Sequence, residues 1–186
     1  MSTVDLRNAG LAEQQPDSGN AVQARRVFPF AARLMHWLIA AFVLMLVMSG
    51  VIMKQMPPGP LADNIYVLHK FSGALAFGLI VLRLGYRIMA RLTGRWLSAS
   101  GGQAIHRVLY GVMLLVPLLG WAGVSDYGAR SLWFGLSLPA IWPEGAGHAD
   151  ILFLAHACLA FGLLALVVIH IGSALDTYIH RNTNAR

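Results

Sequence analysis

Residues 154–172 read LAHACLAFGLLALVVIHIG. The stretch contains no Asp, Glu, Lys or Arg and is long enough to cross the hydrocarbon of a bilayer as a helix. It nevertheless carries two histidines, His156 and His170, fourteen positions apart. Polar groups at such depth are costly and usually functional, so the pair and its interval need a reason.

The rest of the 186-residue chain fits a membrane setting: 57% of residues are hydrophobic and 12% charged. The expected fold is an all-α membrane protein, a bundle of four transmembrane helices over about 31–53, 65–88, 104–125 and 150–178. The second is the weakest, because Lys70 and Arg83 interrupt it. KQMPPGPLADN (54–64), rich in helix breakers, joins the first two, and RLTGRWLSASGGQ (91–103) separates the second and third. The long connection 126–150 holds Trp133, Phe134 and Trp142, aromatics suited to a membrane interface. Residues 1–24 are polar and aperiodic and read as a disordered cytoplasmic tail, leaving 25–182 as the membrane domain. The apolar run after Arg33 continues for twenty residues without a charge, which is spanning length rather than a signal-peptide core.

The formal charge of +6 is scattered at the edges of apolar runs, which points to membrane orientation and not to nucleic acid. Eleven Lys and Arg residues fall on the side of the termini and the 91–103 loop, against Lys54, Lys70 and Arg130 on the other. Both termini are therefore expected in the cytoplasm, the chain crossing the bacterial inner membrane several times. Cys158, the single cysteine, reads as a small packing residue.

Fourteen residues at ~100° each fall about 40° short of four turns, so His156 and His170 share one helix face about 21 Å apart along the axis. No single ion can touch both. Partners lie at matching depths, His69 for His156 on the outer side and His36 for His170 on the inner side. Two imidazoles presented by facing helices are what the two axial positions of an iron porphyrin require. The pattern points to two bis-histidine b-type haems, with iron ligands His36 and His170 in one leaflet and His69 and His156 in the other.

The same interval recurs. Fourteen on from His36 is Gly50, from His106 Gly120, and from His69 Arg83. Gly50 and Gly120 would leave room for a porphyrin at the outer level or serve as close-packing positions, as would Gly73 and Gly162. Arg83 would bind haem propionates or extend to the interface. Met45, Met48 and Met53 read as lipid-facing or core residues. Asp176 and His180, four apart, can pair on a helix surface. His148 reads as solvated.

Several stretches resemble the bacterial cytochrome b561 family, which includes the cytochrome b subunits of nickel–iron hydrogenases. ARLMHWLIA (32–40), VLHKFSGALAFGLIVLRLGYR (67–87), HRVLYGVMLLVPLLGW (106–121) and AHACLAFGLLALVVIHIGSAL (155–175) are similar to its four helices in order. LWFGLSLPAI (132–141) is similar to the outer loop of its short members. The resemblance implies the same two ligand pairs. It also implies one-electron transfer linked to quinone, with a redox partner protein. His106 matches a family histidine and is read as a quinone or propionate contact. Other quinone-site candidates are Arg107 and Tyr110 on the inner side, and Tyr66 and Lys70 on the outer.

Some short members oxidise periplasmic superoxide with ubiquinone as acceptor. An electropositive outer mouth would favour that substrate, but Lys54, Lys70 and Arg130 are opposed by Asp63, Asp126, Glu144 and Asp150. A membrane anchor passing electrons between a hydrogenase or other dehydrogenase and quinone is the first alternative. A histidine-lined metal or proton transporter, which needs ligands converging on one midplane site, is the second.

Overall fold

The computed structural model describes residues 30–93 and 103–183. Four helices account for most of them: α1 (Phe30–Gln55), α2 (Pro60–Leu92), α3 (Gln103–Tyr127) and α4 (Ala149–Thr183). All four are long and apolar enough to cross a membrane. The expected tail 1–24 and most of the 91–103 loop lie outside the described residues.

Three helix boundaries differ from the sequence reading. α2 starts at Pro60, not near 65, because proline at the first helical turn loses no needed hydrogen bond. Asp63 reinforces that start: its N–H donates to the Gly59 carbonyl at 3.0 Å, and its carboxylate lies at the positive end of the helix dipole. α2 and α4 also run past 88 and 178, since a polar sequence without Gly or Pro continues a helix beyond the hydrocarbon. Pro117 sits within α3, where it withholds one backbone donor.

α3 is the central packing element, running along α4 and over a shorter length against α2. Small side chains dominate the buried positions, among them Ser49, Ser72, Ala76, Ala90 and Ala122. That composition suits helices associating in lipid, where close backbone approach takes the place of hydrophobic burial. Large apolar side chains such as Leu44, Met48, Leu82, Phe161 and Ile171 face outward. Cys158 is exposed on α4 and so does not fill the packing role expected of it.

The α1–α2 turn and the α3–α4 connection lie at one end of the bundle, here the loop end; the start of α1 and the finish of α4 lie at the other, the tail end. Residues 128–148 fold back on themselves at the loop end. A bridge between Ser131 and Ser137 flanks a short 3-10 turn, Trp133–Gly135. Phe134 adopts φ 61°, a left-handed conformation rarely taken by a bulky residue.

The last two turns of α3 fasten this connection. Trp121 Nε1 donates to the Pro139 carbonyl at 2.8 Å, and the Ile141 N–H donates to Ser125 Oγ at 3.3 Å. The Asp126 carboxylate accepts the N–H groups of Gly147 and His148 just ahead of α4. A carboxylate there satisfies orphan donors and complements the helix dipole. Asp126 is therefore buried structural machinery, 3% exposed, and not the outer surface charge expected from sequence.

Candidate functional site

Both polar interruptions of α2 find hydrogen-bond partners, Lys70 in the loop-end connection and Arg83 between the helices. Lys70 Nζ donates to the carbonyls of Ala129 and Ser131 at 2.7 and 2.8 Å, tying α2 to the loop-end connection. Arg83 Nη1 donates to the Ala32 carbonyl at 2.7 Å, and its Nε donates to the Tyr110 hydroxyl at 3.0 Å. Each charged group thus gains the hydrogen bonds that intramembrane placement demands.

At the loop end His69 of α2 and His156 of α4 face each other, ring centroids 6.0 Å apart and planes at 81°. His156 Nδ1 donates to the Val116 carbonyl at 2.8 Å. His69 Nδ1 lies 3.0 Å from Ser49 Oγ. Each ring rests against a glycine of a neighbouring helix. A Cβ on Gly50 would stand 3.3 Å from His69 Cε1, and one on Gly120 would stand 2.9 Å from His156 Nδ1. The space at both glycines is therefore taken up by the imidazoles. Gly73 is placed differently, its nearest neighbour being Leu46 Cδ2 at 3.9 Å, and Gly162 opens onto free space.

At the tail end three histidines converge. His36 of α1 and His170 of α4 have centroids 6.3 Å apart at 82°. His106 of α3 stands closer to His170, at 5.0 Å and 81°. Arg83 lies near enough to His36 to act on it electrostatically. Arg87 adds a second guanidinium, donating to the Tyr110 hydroxyl at 3.0 Å and lying 5.2 Å above that ring. Among the inner-side candidates, Tyr110 thus joins the arginine cluster. His180 pairs with Asp176 at 3.2 Å on the exposed end of α4, and His148 lies beside Trp142.

The pair separations can be compared with what a porphyrin iron needs. With metal–nitrogen bonds of about 2 Å on either face, and half a ring added on each side, the two centroids stand about 6 Å apart. Both the 6.0 Å and the 6.3 Å pairs fit, and the glycine seats allow the loop-end rings to reach that position. Because α4 is unbroken from Ala149 to Thr183, His156 and His170 sit about 21 Å apart along its axis. Among the described residues no group of three or more His, Cys, Asp or Glu side chains is placed to hold a metal ion. The midplane cluster needed for the transport alternative is thus not found there.

Imidazole pairs at two levels of an apolar four-helix bundle are the mark of membrane cytochromes of b type. The prokaryotic cytochrome b561 family model matches residues 27–184, and the chain belongs to that family. It is accordingly a multi-pass transmembrane b-type cytochrome that binds b-type haem, contacts lipid and takes part in electron transfer. No curated protein matches the chain.

Two features of the site escaped sequence reading. Ser49 was legible only as a polar residue beside Gly50. The convergence of Arg83 and Arg87 on Tyr110 joins two helices whose registers no sequence spacing relates.

Proposed function

We propose that this chain moves single electrons between the two faces of the bacterial inner membrane through two b haems, in exchange with the quinone pool. His69 and His156 would ligate the loop-end iron, and His36 and His170 the tail-end iron. The reading rests on one observation above all: two histidine pairs, with ring centroids 6.0 and 6.3 Å apart, each with one member on the single helix α4. A bis-histidine haem supplies a one-electron iron couple, and the protein sets its position and potential.

The Lys and Arg asymmetry orients the tail end, with both termini, toward the cytoplasm. Arg83 would balance propionate charge at that end, and His106 with Tyr110 would face a quinone arriving from lipid. Superoxide as donor gains no support from the loop-end electrostatics. Arg130 is paired with Glu144 at 3.1 Å, and the Lys70 ammonium is turned into loop carbonyls. Exchange with quinone therefore stands first.

Proteoliposomes holding trapped ferricyanide provide the test. A short-chain quinol mixed with the protein should reduce its haems, and trapped ferricyanide should be consumed on addition of external reductant. Haems that quinol leaves oxidised would defeat the quinone link. Ferricyanide consumed no faster than in protein-free vesicles would defeat electron transfer across the membrane.

A further inference from the structure

Ser49 is 6% exposed, toward the loop end of the apolar helix α1, and touches a residue twenty positions away on another helix. Its hydroxyl donates to the Leu46 carbonyl at 3.1 Å, the backward bond a serine makes within its own helix. That uses its only proton. With that bond made, the 3.0 Å contact with His69 Nδ1 takes its proton from the imidazole, Ser49 Oγ accepting alongside the Leu46 carbonyl, which also hydrogen-bonds His69. A proton on Nδ1 leaves Nε2 as the unprotonated nitrogen available for coordination. A hydrogen bond from the distal N–H of a ligating imidazole also raises its basicity, which favours ferric over ferrous iron.

From this relay we infer that Ser49 is a positioning residue: it holds His69 in its coordinating tautomer and lowers the reduction potential of the loop-end haem. The inference rests on the proposed assignment of His69 as an iron ligand. Its counterpart on the same pair is the Val116 carbonyl against His156, a backbone acceptor that no side-chain substitution removes. Among the described residues Ser49 is thus the side-chain acceptor at the loop-end pair, the Leu46 and Val116 carbonyls being backbone. The tail-end pair differs: His170 Nδ1 is buried without a hydrogen-bond partner among the described residues.

The groove beside Ser49, about 450 Å³ between α1 and α2 and lined by Leu44, Met48, Ile52 and Leu68 among others, leaves space for an added methyl group. A threonine can therefore keep the hydroxyl without crowding.

Potentiometric titration of the full chain in detergent, resolving the two haems, tests the inference. In Ser49→Ala the loop-end midpoint should rise by about 59 mV, a tenfold shift in its ferric–ferrous equilibrium, with the tail-end midpoint unchanged. Ser49→Cys, close in volume but a weak acceptor, should rise likewise, and Ser49→Thr should stay at the wild-type value. An unchanged or lowered loop-end midpoint in Ser49→Ala would overturn the inference. If Ser49→Ala fails to hold the loop-end haem, Ser49→Cys decides: a raised midpoint upholds the role and an unchanged one overturns it. A His69→Ala variant that keeps the loop-end haem would instead defeat the ligand assignment, separating that failure from this one.

Discussion

Gly120 lies directly beneath the imidazole of His156, so close that a Cβ at this position would stand 2.9 Å from Nδ1. The atom in its way is held at 2.8 Å from the Val116 carbonyl, one helical turn earlier on the same helix. Seat and acceptor belong to one stretch of α3, and together they fix where the ring can stand.

Gly120→Ala should therefore expel His156 from its position and abolish the loop-end haem, while the tail-end haem is retained. Gly50→Ala places its methyl 3.3 Å from His69 Cε1, a contact relieved by a small shift of the ring. It should keep both haems, with the loop-end spectrum altered. Haem content per chain, measured as the pyridine haemochrome, distinguishes the two variants.

Arg83 brings fixed positive charge close to His36 and donates two hydrogen bonds across helices. Positive charge favours the reduced form of a nearby haem. Arg83→Gln should lower the tail-end midpoint and leave the loop-end one in place. It should also destabilise the fold by about 1–3 kcal/mol, since Ala32 and Tyr110 lose a charged donor. Redox titration and thermal unfolding in detergent read the two effects separately.

His106 stands against His170 but belongs to neither ligand pair proposed above. His106→Phe should keep two low-spin haems, whereas His170→Ala should lose the tail-end one. Loss of a haem in His106→Phe with retention in His36→Ala would reassign the ligands at that end.

Asp126 anchors the loop-end connection through a carboxylate that accepts two backbone N–H groups. In Asp126→Asn one acceptor becomes a donor facing another donor. The cost should be about 1–3 kcal/mol. Limited proteolysis should then cut between residues 128 and 148 faster than in the wild type, with the helices still intact.

The four spans were legible because hydrocarbon thickness sets a minimum apolar length, and every span exceeds it. The start of α2 was misjudged because Pro60 breaks a helix from within yet is well suited to begin one. The fourteen-residue interval led to Gly50 and Gly120, and the structure sets each against an imidazole of the next helix. Helical periodicity carries that much, because it fixes depth and face on one helix. It carries nothing about which helix lies opposite. Ser49 therefore went unread, its meaning depending on His69 across the α1–α2 interface. Asp126 was misread for the same reason: in sequence it is one more acid before a loop, and only the fold brings Gly147 and His148 back to it.

The central claim is that two haems are held one above the other, each by its own histidine pair. The most direct measurement is the haem content and reduced-minus-oxidised spectrum of purified single-histidine variants beside the wild type. The wild type should hold two b haems per chain. His69→Ala and His156→Ala should each lose the same one, and His36→Ala and His170→Ala should each lose the other. A wild type with one haem, or any of the four variants retaining both, would contradict it.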